Sequence, residues 1–138
     1  MITDRGIYYE ANQKENDQCT VHIGRYDLES DRFDEVKIPD MGYIHTGLDP
    51  AGRFLFYENQ SKTEHHLFSL HFPHDPKRFQ IRKLRTLPFI PFGQRYHAHP
   101  FLSPDRRHLF YTEFVDGFSH ICAMDVADLV DLDEYWDA

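Results

Sequence analysis

The chain is poor in cysteine, in net positive charge and in long apolar runs, and each shortage excludes a class of protein. Cys19 and Cys122 lie far apart and form no CxxC spacing, so both are predicted to be reduced, buried thiols rather than a disulfide or metal ligands. The formal net charge of -8 argues against a nucleic-acid backbone as partner. Because no long apolar stretch and no signal segment appears, we expect no membrane contact and a cytoplasmic protein.

Apolar and aromatic residues are abundant, and they occur in short runs. Of the 138 residues, 41% are hydrophobic and 15% are aromatic, which is enough to form the core of one small domain. Short runs that contain β-branched and aromatic residues, separated by turn residues, predict a nearly all-β structure. The predicted strands are 6–11, 20–27, 33–38, 43–48, 54–59, 66–72, 80–86, 97–102, 108–114 and 120–126, and only 127–136 is a candidate helix.

One segment of the chain is repeated at an offset of 54 residues. The identities cluster on apolar and turn residues, which favours one supersecondary unit used twice. The matched residues are His45, Leu48, Pro50, Arg53, Leu55, Phe56, Tyr57 and His66, which align with His99, Leu102, Pro104, Arg107, Leu109, Phe110, Tyr111 and His120. A weaker copy comes first, over residues 6–28, and we expect that copy to lack its opening strand.

Four antiparallel strands per repeat of about 40 to 54 residues are typical of a β-propeller blade. We therefore expect a propeller fragment of about two and a half to three four-stranded blades. The incomplete first blade covers residues 1–40, the second covers 41–93, and the third covers 94–138, with its outer strand missing or supplied elsewhere and an acidic tail. Since a ring has about four to eight blades, the chain is either a fragment of a longer protein or a protomer that closes its ring with another chain.

A candidate metal site follows from the run Gln94-Arg95-Tyr96-His97-Ala98-His99 and from the repeat. Residues i and i+2 of a strand face the same way, so His97 and His99 would present both rings on one face, and Gln94 would turn back from the entering loop. Neighbouring blades place equivalent inner-strand positions side by side, which brings His45 beside His99. Three imidazoles and an amide suit a divalent transition metal. The plainer alternative is that these histidines only satisfy backbone carbonyls in a channel.

The same residues resemble a known family. The stretch Gln94-x-x-His97-x-His99-Pro-x-x-Ser-Pro-Asp105, followed by Leu109-Phe110-Tyr111, is similar to the C-terminal blades of oligogalacturonate lyase, a seven-bladed propeller family of pectin breakdown, over about the last 98 residues. The resemblance implies a manganese ion held by His45, Gln94, His97 and His99.

The resemblance also implies a reaction, β-elimination on galacturonate oligomers, in which the metal binds the uronate carboxylate. Arg95, which lies within the metal run, is a candidate to meet that carboxylate bidentately. Tyr43, one repeat before His97, is the nearest titratable stand-in for the family's general base and the second candidate substrate-binding residue. The family's general base and its assisting arginine lie in blades N-terminal to the metal ligands, so no catalytic residue is assigned in this chain, which alone is expected to be inactive. The alternative is a non-catalytic propeller segment, similar to Tol-type or WD-repeat proteins, that serves protein interaction.

The remaining histidines and the repeated arginines are predicted to be structural or solvated. His66 and His120 match across the repeat but fall in third strands, which favours a structural hydrogen bond. Arg53 and Arg107 each follow a tight turn and are expected to pair with turn carboxylates such as Asp49 or Asp105. The histidines predicted to be solvated are His22, His65, His71, His74 and His108.

Overall fold

The protein is all-β and propeller-like, with three antiparallel sheets in chain order. The computed structural model describes residues 2–3, 6–15, 18–38, 45–60, 63–71, 79–90 and 97–131. The first sheet contains β1 (Ile2–Thr3), β2 (Gly6–Glu15), β3 (Gln18–Asp27) and β4 (Arg32–Ile38). The second contains β5 (Thr46–Leu48), β6 (Phe54–Gln60), β7 (His65–His71) and β8 (Gln80–Leu87). The third contains β9 (Phe101–Leu102), β10 (His108–Val115) and β11 (Phe118–Asp125), and α1 (Ala127–Asp131) follows it.

The second sheet is the middle blade, and its burial shows that both of its faces are covered. The first five residues of β6 are all buried, whereas β10 in the third sheet alternates between buried and partly exposed positions at its start. A strand covered on both faces needs consecutive apolar residues, while a strand covered on one face needs only alternate ones. Strand β8 is mostly exposed, as expected for the outermost strand of a blade.

Two hydrophobic clusters hold the three sheets together, one at each contact between neighbouring blades. The cluster between the first and second blades contains Tyr8, Val21, Ile23, Ile38, Leu55, Tyr57 and Leu70. The cluster between the second and third blades contains Phe54, Phe56, Leu67, Leu87, Ala98, Leu102, Leu109, Tyr111 and Val126. Full burial of one such aromatic or branched side chain contributes about 1.5–3 kcal/mol, so these contacts dominate the stability of the stack.

Strand pairing confirms the repeat of 54 residues. In the second sheet Phe54 pairs with His71, and in the third sheet His108 pairs with Asp125, which are the equivalent positions. The inner strands agree in the same way, since Leu48 pairs with Leu55 and Leu102 pairs with Leu109. The second and third blades are therefore two copies of one unit with the same hairpin register.

Two inner strands differ from the prediction. The first sheet has an opening strand, since β1 pairs Ile2 with Ile7 and Thr3 with Gly6, where we expected none. The predicted inner strand of residues 97–102 is reduced to the two residues of β9. In the third sheet the described residues form three strands, and the part of the candidate helix that the structure describes contains α1, of five residues. Among the described residues no helix is long and apolar enough to cross a membrane.

Candidate metal centre between two blades

Three histidines from two blades meet at the inner edge of the stack. The ring centroid of His45 lies 4.5 Å from that of His97 and 4.1 Å from that of His99, and the rings of His97 and His99 are 6.0 Å apart. His45 directly precedes β5, while the other two lie shortly before β9. The predicted convergence of His45 with the histidine pair is therefore present in the structure.

A glycine allows the two inner strands to approach closely enough for this contact. A Cβ atom added at Gly47 in β5 would collide with the carbonyl oxygen of Pro100 and would lie 2.9 Å from its carbonyl carbon and 3.1 Å from Cα of Phe101. The backbone of β5 thus packs directly against the start of β9. Glycine is required here for close approach of two backbones.

The predicted strand geometry of the histidine pair is wrong, although the two rings do converge on His45. Residues 97–100 are not in a strand, and His99 adopts a positive φ of 45°. The backbone shows a slip of one residue: the His45 carbonyl accepts from Glu58 N, but the equivalent bond in the third blade runs from Thr112 N to Ala98 O rather than to His99 O. This irregular turn leaves His97 buried and His99 exposed.

The carboxylate of Glu58, on strand β6, lies beneath the histidines and is fully buried at 0% exposure. Its Oε1 accepts a hydrogen bond from Nδ1 of His45 at 2.8 Å, and its Oε2 accepts from Nε2 of His65 at 2.7 Å. The backbone amide of Ala98 donates to Oε2 at 2.6 Å. Nδ1 of His97 lies 3.4 Å from Oε1. One carboxylate thus contacts groups of both blades.

The pKa values of this cluster favour an anionic glutamate and neutral imidazole at His97. Burial by itself would raise the pKa of Glu58, but hydrogen bonds from His65 and the Ala98 amide, with the charges of His65 and His97, hold the pKa below its usual value. Burial lowers the pKa of His97 and outweighs the opposing effect of Glu58, and the neighbouring His45 and His99 lower the pKa further. Neutral imidazole is the form that binds a metal.

The donor set fits a divalent cation. One ligand atom from each of His45, Glu58 and His99 lies within 4.8 Å of the other two. Two ligands at about 2.0–2.2 Å from one ion can be up to about 4.4 Å apart, so the two imidazoles of this group could share an ion after small side-chain movements. Since an ionised carboxylate can only accept hydrogen bonds, the Nδ1–H group of His45 must donate to Glu58. Nε2 of His45 then keeps a lone pair for a metal.

Three of the predicted site residues lie outside the described residues. These are the proposed fourth ligand, Gln94, and the two candidate substrate-binding residues, Arg95 and Tyr43.

Sequence reasoning missed two members of the cluster, Glu58 and His65. His65 was predicted to be solvated, and this is wrong: it is buried and donates to Glu58. The signal for Glu58 was its place at the end of Phe54-Leu-Phe-Tyr57, where a lone carboxylate follows four apolar residues of a strand buried on both faces. An acidic residue is almost never fully buried unless it is paired, so this position could have indicated a partner.

Other titratable residues have structural roles. His71 is buried and stacks on Phe54, contrary to the prediction of solvation. His66, predicted to make a structural hydrogen bond, contacts Glu64 at 3.1 Å. The turn carboxylate of Asp49 is bound in two places by Arg106 of the next blade, at 3.0 Å each, whereas Arg107 meets Asp105 through its backbone amide. The sequence repeat had pointed to the adjacent arginine.

The cysteines occupy strands, as predicted, with Cys19 in β3 and Cys122 in β11. Cys122 is a free, partly buried thiol whose Sγ lies 3.6 Å from Glu113 Oε2. Burial and this carboxylate raise the pKa of the Cys122 thiol, which disfavours the reactive thiolate. The side chain of Cys19 lies outside the described residues.

No family model, no curated protein and no solved structure matches the chain.

Proposed function

We propose that the chain binds a divalent transition metal between its second and third blades, with His45, His97 and His99 as ligands. The observation that carries the proposal is the convergence of three imidazoles from two blades above one buried carboxylate. A merely structural histidine cluster would not need rings from separate blades at 4.1–4.5 Å from one another. Gln94, by resemblance, completes the ligand set with an amide oxygen.

We propose manganese as the ion and a uronate oligosaccharide, such as oligogalacturonate, as the substrate, in keeping with the resemblance to oligogalacturonate lyase. Imidazole and amide ligands are compatible with manganese, and also with iron, nickel and zinc. Bound at this place, a divalent cation supplies positive charge that draws electrons from a uronate carboxylate and acidifies the C5 proton. By resemblance, Arg95 and Tyr43 would contact the same sugar.

Among the described residues of the cluster, none is available for the remaining step of a lyase, removal of the C5 proton. Its three converging histidines are used as ligands, Glu58 is fully buried, and His65 is buried behind Glu58. A general base must lie within hydrogen-bond reach of the proton that it removes. We therefore propose that the chain contributes the metal and carboxylate subsite of a lyase-like enzyme and is inactive alone.

Metal titration tests the first proposal. Isothermal titration of the metal-free protein with Mn²⁺ should show one site, and both His97→Ala and His99→Ala should abolish it. His108→Ala is the matched control, since His108 is an exposed histidine of the same blade. Circular dichroism of each variant should show retained β-structure. A wild-type protein that takes up no Mn²⁺, or a His99→Ala variant with unchanged affinity, would contradict the proposal.

Substrate binding tests the second proposal. Galacturonate oligomers should bind in the presence of Mn²⁺ and much more weakly after chelation, because the carboxylate would then lack its cation. Ultraviolet absorbance should reveal no unsaturated product from the chain alone. Equal binding with and without Mn²⁺ would refute the assigned role of the metal, and turnover by the isolated chain would show that a base is present.

The alternative of an interaction segment is favoured by one observation, an apolar face on the third blade. Ile121 is 82% exposed, yet its equivalent one repeat earlier, Leu67, is 0% exposed because the third blade covers it. Phe110 is the equivalent of the buried Phe56 on the same face. We propose that a blade from another chain can cover this face, which would extend the stack toward the four to eight blades typical of a propeller.

The association of chains can be measured directly. The wild-type protein should form an oligomer by light scattering, and Ile121→Lys should dissociate it without loss of β-structure. Val115→Lys, at the exposed end of the hairpin, is the control. A wild-type protein that is monomeric at all concentrations would refute this proposal without affecting the metal site.

A further inference from the structure

The buried carboxylate of Glu58 is surrounded by N–H groups from three separate places in the chain. On one oxygen it accepts from Nδ1 of His45 at 2.8 Å, with the amide nitrogen of His99 at 3.5 Å. On the other it accepts from Nε2 of His65 at 2.7 Å and from the amide of Ala98 at 2.6 Å. These donors lie before β5, on β7 and before β9.

This environment is unlike that of a metal ligand. A carboxylate has about four lone-pair sites, and on Oε2 of Glu58 both are occupied by the short bonds from His65 and Ala98. Oε1 is directed at Nδ1 of His45, so coordination through Oε1 would break that bond. Because Glu58 is fully buried, an ion cannot reach either oxygen from the solvent side. Both oxygens of the carboxylate thus accept hydrogen bonds from the protein itself.

We infer that Glu58 is a positioning residue of the proposed metal site. It holds His45 in the tautomer with the proton on Nδ1, so that Nε2 is presented as the ligand atom, and it ties the backbone of Ala98 to the second blade. The inference rests on the proposed metal-binding function and deepens it. Carboxylates that orient metal-bound histidines recur in proteins because they fix both the tautomer and the direction of the ring.

His65 has a supporting part in the same arrangement. Its Nε2–H donates to Oε2 of Glu58 from the neighbouring strand, so the two carboxylate oxygens are held in opposite directions by His65 and His45. Without that donor the carboxylate could rotate about its last bond, and the orientation of His45 would no longer be fixed. Glutamine at position 65 retains an N–H donor, whereas leucine does not.

Histidine tautomers in the metal-free protein give a test that does not depend on metal binding. In long-range ¹H–¹⁵N spectra of ¹⁵N-histidine-labelled protein at pH 8, His45, assigned by its loss in His45→Gln, should carry its proton on Nδ1. In Glu58→Gln this tautomer preference should disappear. A wild-type His45 protonated on Nε2 would overturn the inference even if the metal bound normally.

Zinc titration supplies the functional test, with Zn²⁺ as a diamagnetic probe. Glu58→Gln should weaken Zn²⁺ binding about 10- to 100-fold. Glu113→Gln is the matched control, because Glu113 is a part-buried carboxylate paired with Arg85 away from the site, and it should keep the wild-type affinity. An affinity for Glu58→Gln within twofold of wild type would overturn the inference.

A second pair of variants keeps the test open if Glu58→Gln fails to fold. His65→Gln should retain both the His45 tautomer and the Zn²⁺ affinity, while His65→Leu should lose about tenfold in affinity. Equal affinities for the two would overturn the supporting part of His65. If the wild-type protein binds neither Zn²⁺ nor Mn²⁺ but shows the expected tautomer, the proposed metal function fails while the positioning of His45 by Glu58 stands.

Discussion

Replacement of Gly47 by alanine should separate the two inner strands and thereby damage the candidate metal site. The new Cβ would lie 2.9 Å from the carbonyl carbon of Pro100, about 0.6 Å inside the optimum of about 3.5 Å for two carbon atoms. The opposing atoms belong to the backbone, so a side-chain rotation cannot relieve the collision, and the start of β9 must move. Overpacking of this kind costs about 1–3 kcal/mol.

The same movement should also weaken metal binding. A site tolerates displacements of only about 0.5 Å, and His97 and His99 would be carried away from His45 together with Pro100. Thermal unfolding should therefore shift downward by about 4–12 °C, and the Mn²⁺ affinity should fall at least tenfold.

Gly24→Ala is the matched control for this prediction. There the three atoms nearest to the added Cβ all belong to the side chain of Tyr9, in the first blade, which can rotate aside. Metal affinity should therefore be unchanged in Gly24→Ala. A Gly47→Ala protein with wild-type melting temperature and wild-type affinity would refute the close packing of the two inner strands.

Two further predictions concern buried charges. The pKa of Glu58 is lower in the folded state than in the unfolded state. The ionised carboxylate therefore contributes its full stabilisation above the unfolded-state pKa of about 4.3, and this stabilisation is lost as the pH falls through the folded-state pKa. The difference in unfolding free energy between wild type and Glu58→Gln, measured with urea, should thus shrink from pH 7 to pH 3; a constant difference would contradict this. Arg106→Ala removes the partner of the buried Asp49 and should cost about 2 kcal/mol, measured by urea unfolding. The exposed Arg107→Ala should change stability by less than about 0.5 kcal/mol, and equal effects of the two would show that the link between blades is unimportant.

The repeat made much of the fold predictable. A shared offset of 54 residues fixes which residues of β6–β7 and β10–β11 are equivalent, and the strands pair in the same register in both copies. The contact between His45 and His99 followed from this equivalence. It could be predicted because inner strands of neighbouring blades lie side by side, whatever the details of their loops.

The parts of the site that could not be predicted depend on local backbone shape and on contacts between blades. The positive φ of His99 shifts the backbone by one residue, and no glycine marks that turn in the sequence. The bond from Arg106 to Asp49 spans 57 residues and depends on how two turns meet, so the repeat drew attention to Arg107 instead. The exposure of a polar residue such as His65 depends on its partner, Glu58, which pattern analysis treats separately.

The most direct test of the proposed metal site is anomalous scattering from a crystal grown with Mn²⁺. We expect one strong anomalous peak within coordination distance of His45, His97 and His99, with Glu58 contacting the rings from behind and not the ion. Absence of a peak between these three histidines in well-ordered crystals, or a peak bound only elsewhere on the chain, would contradict it.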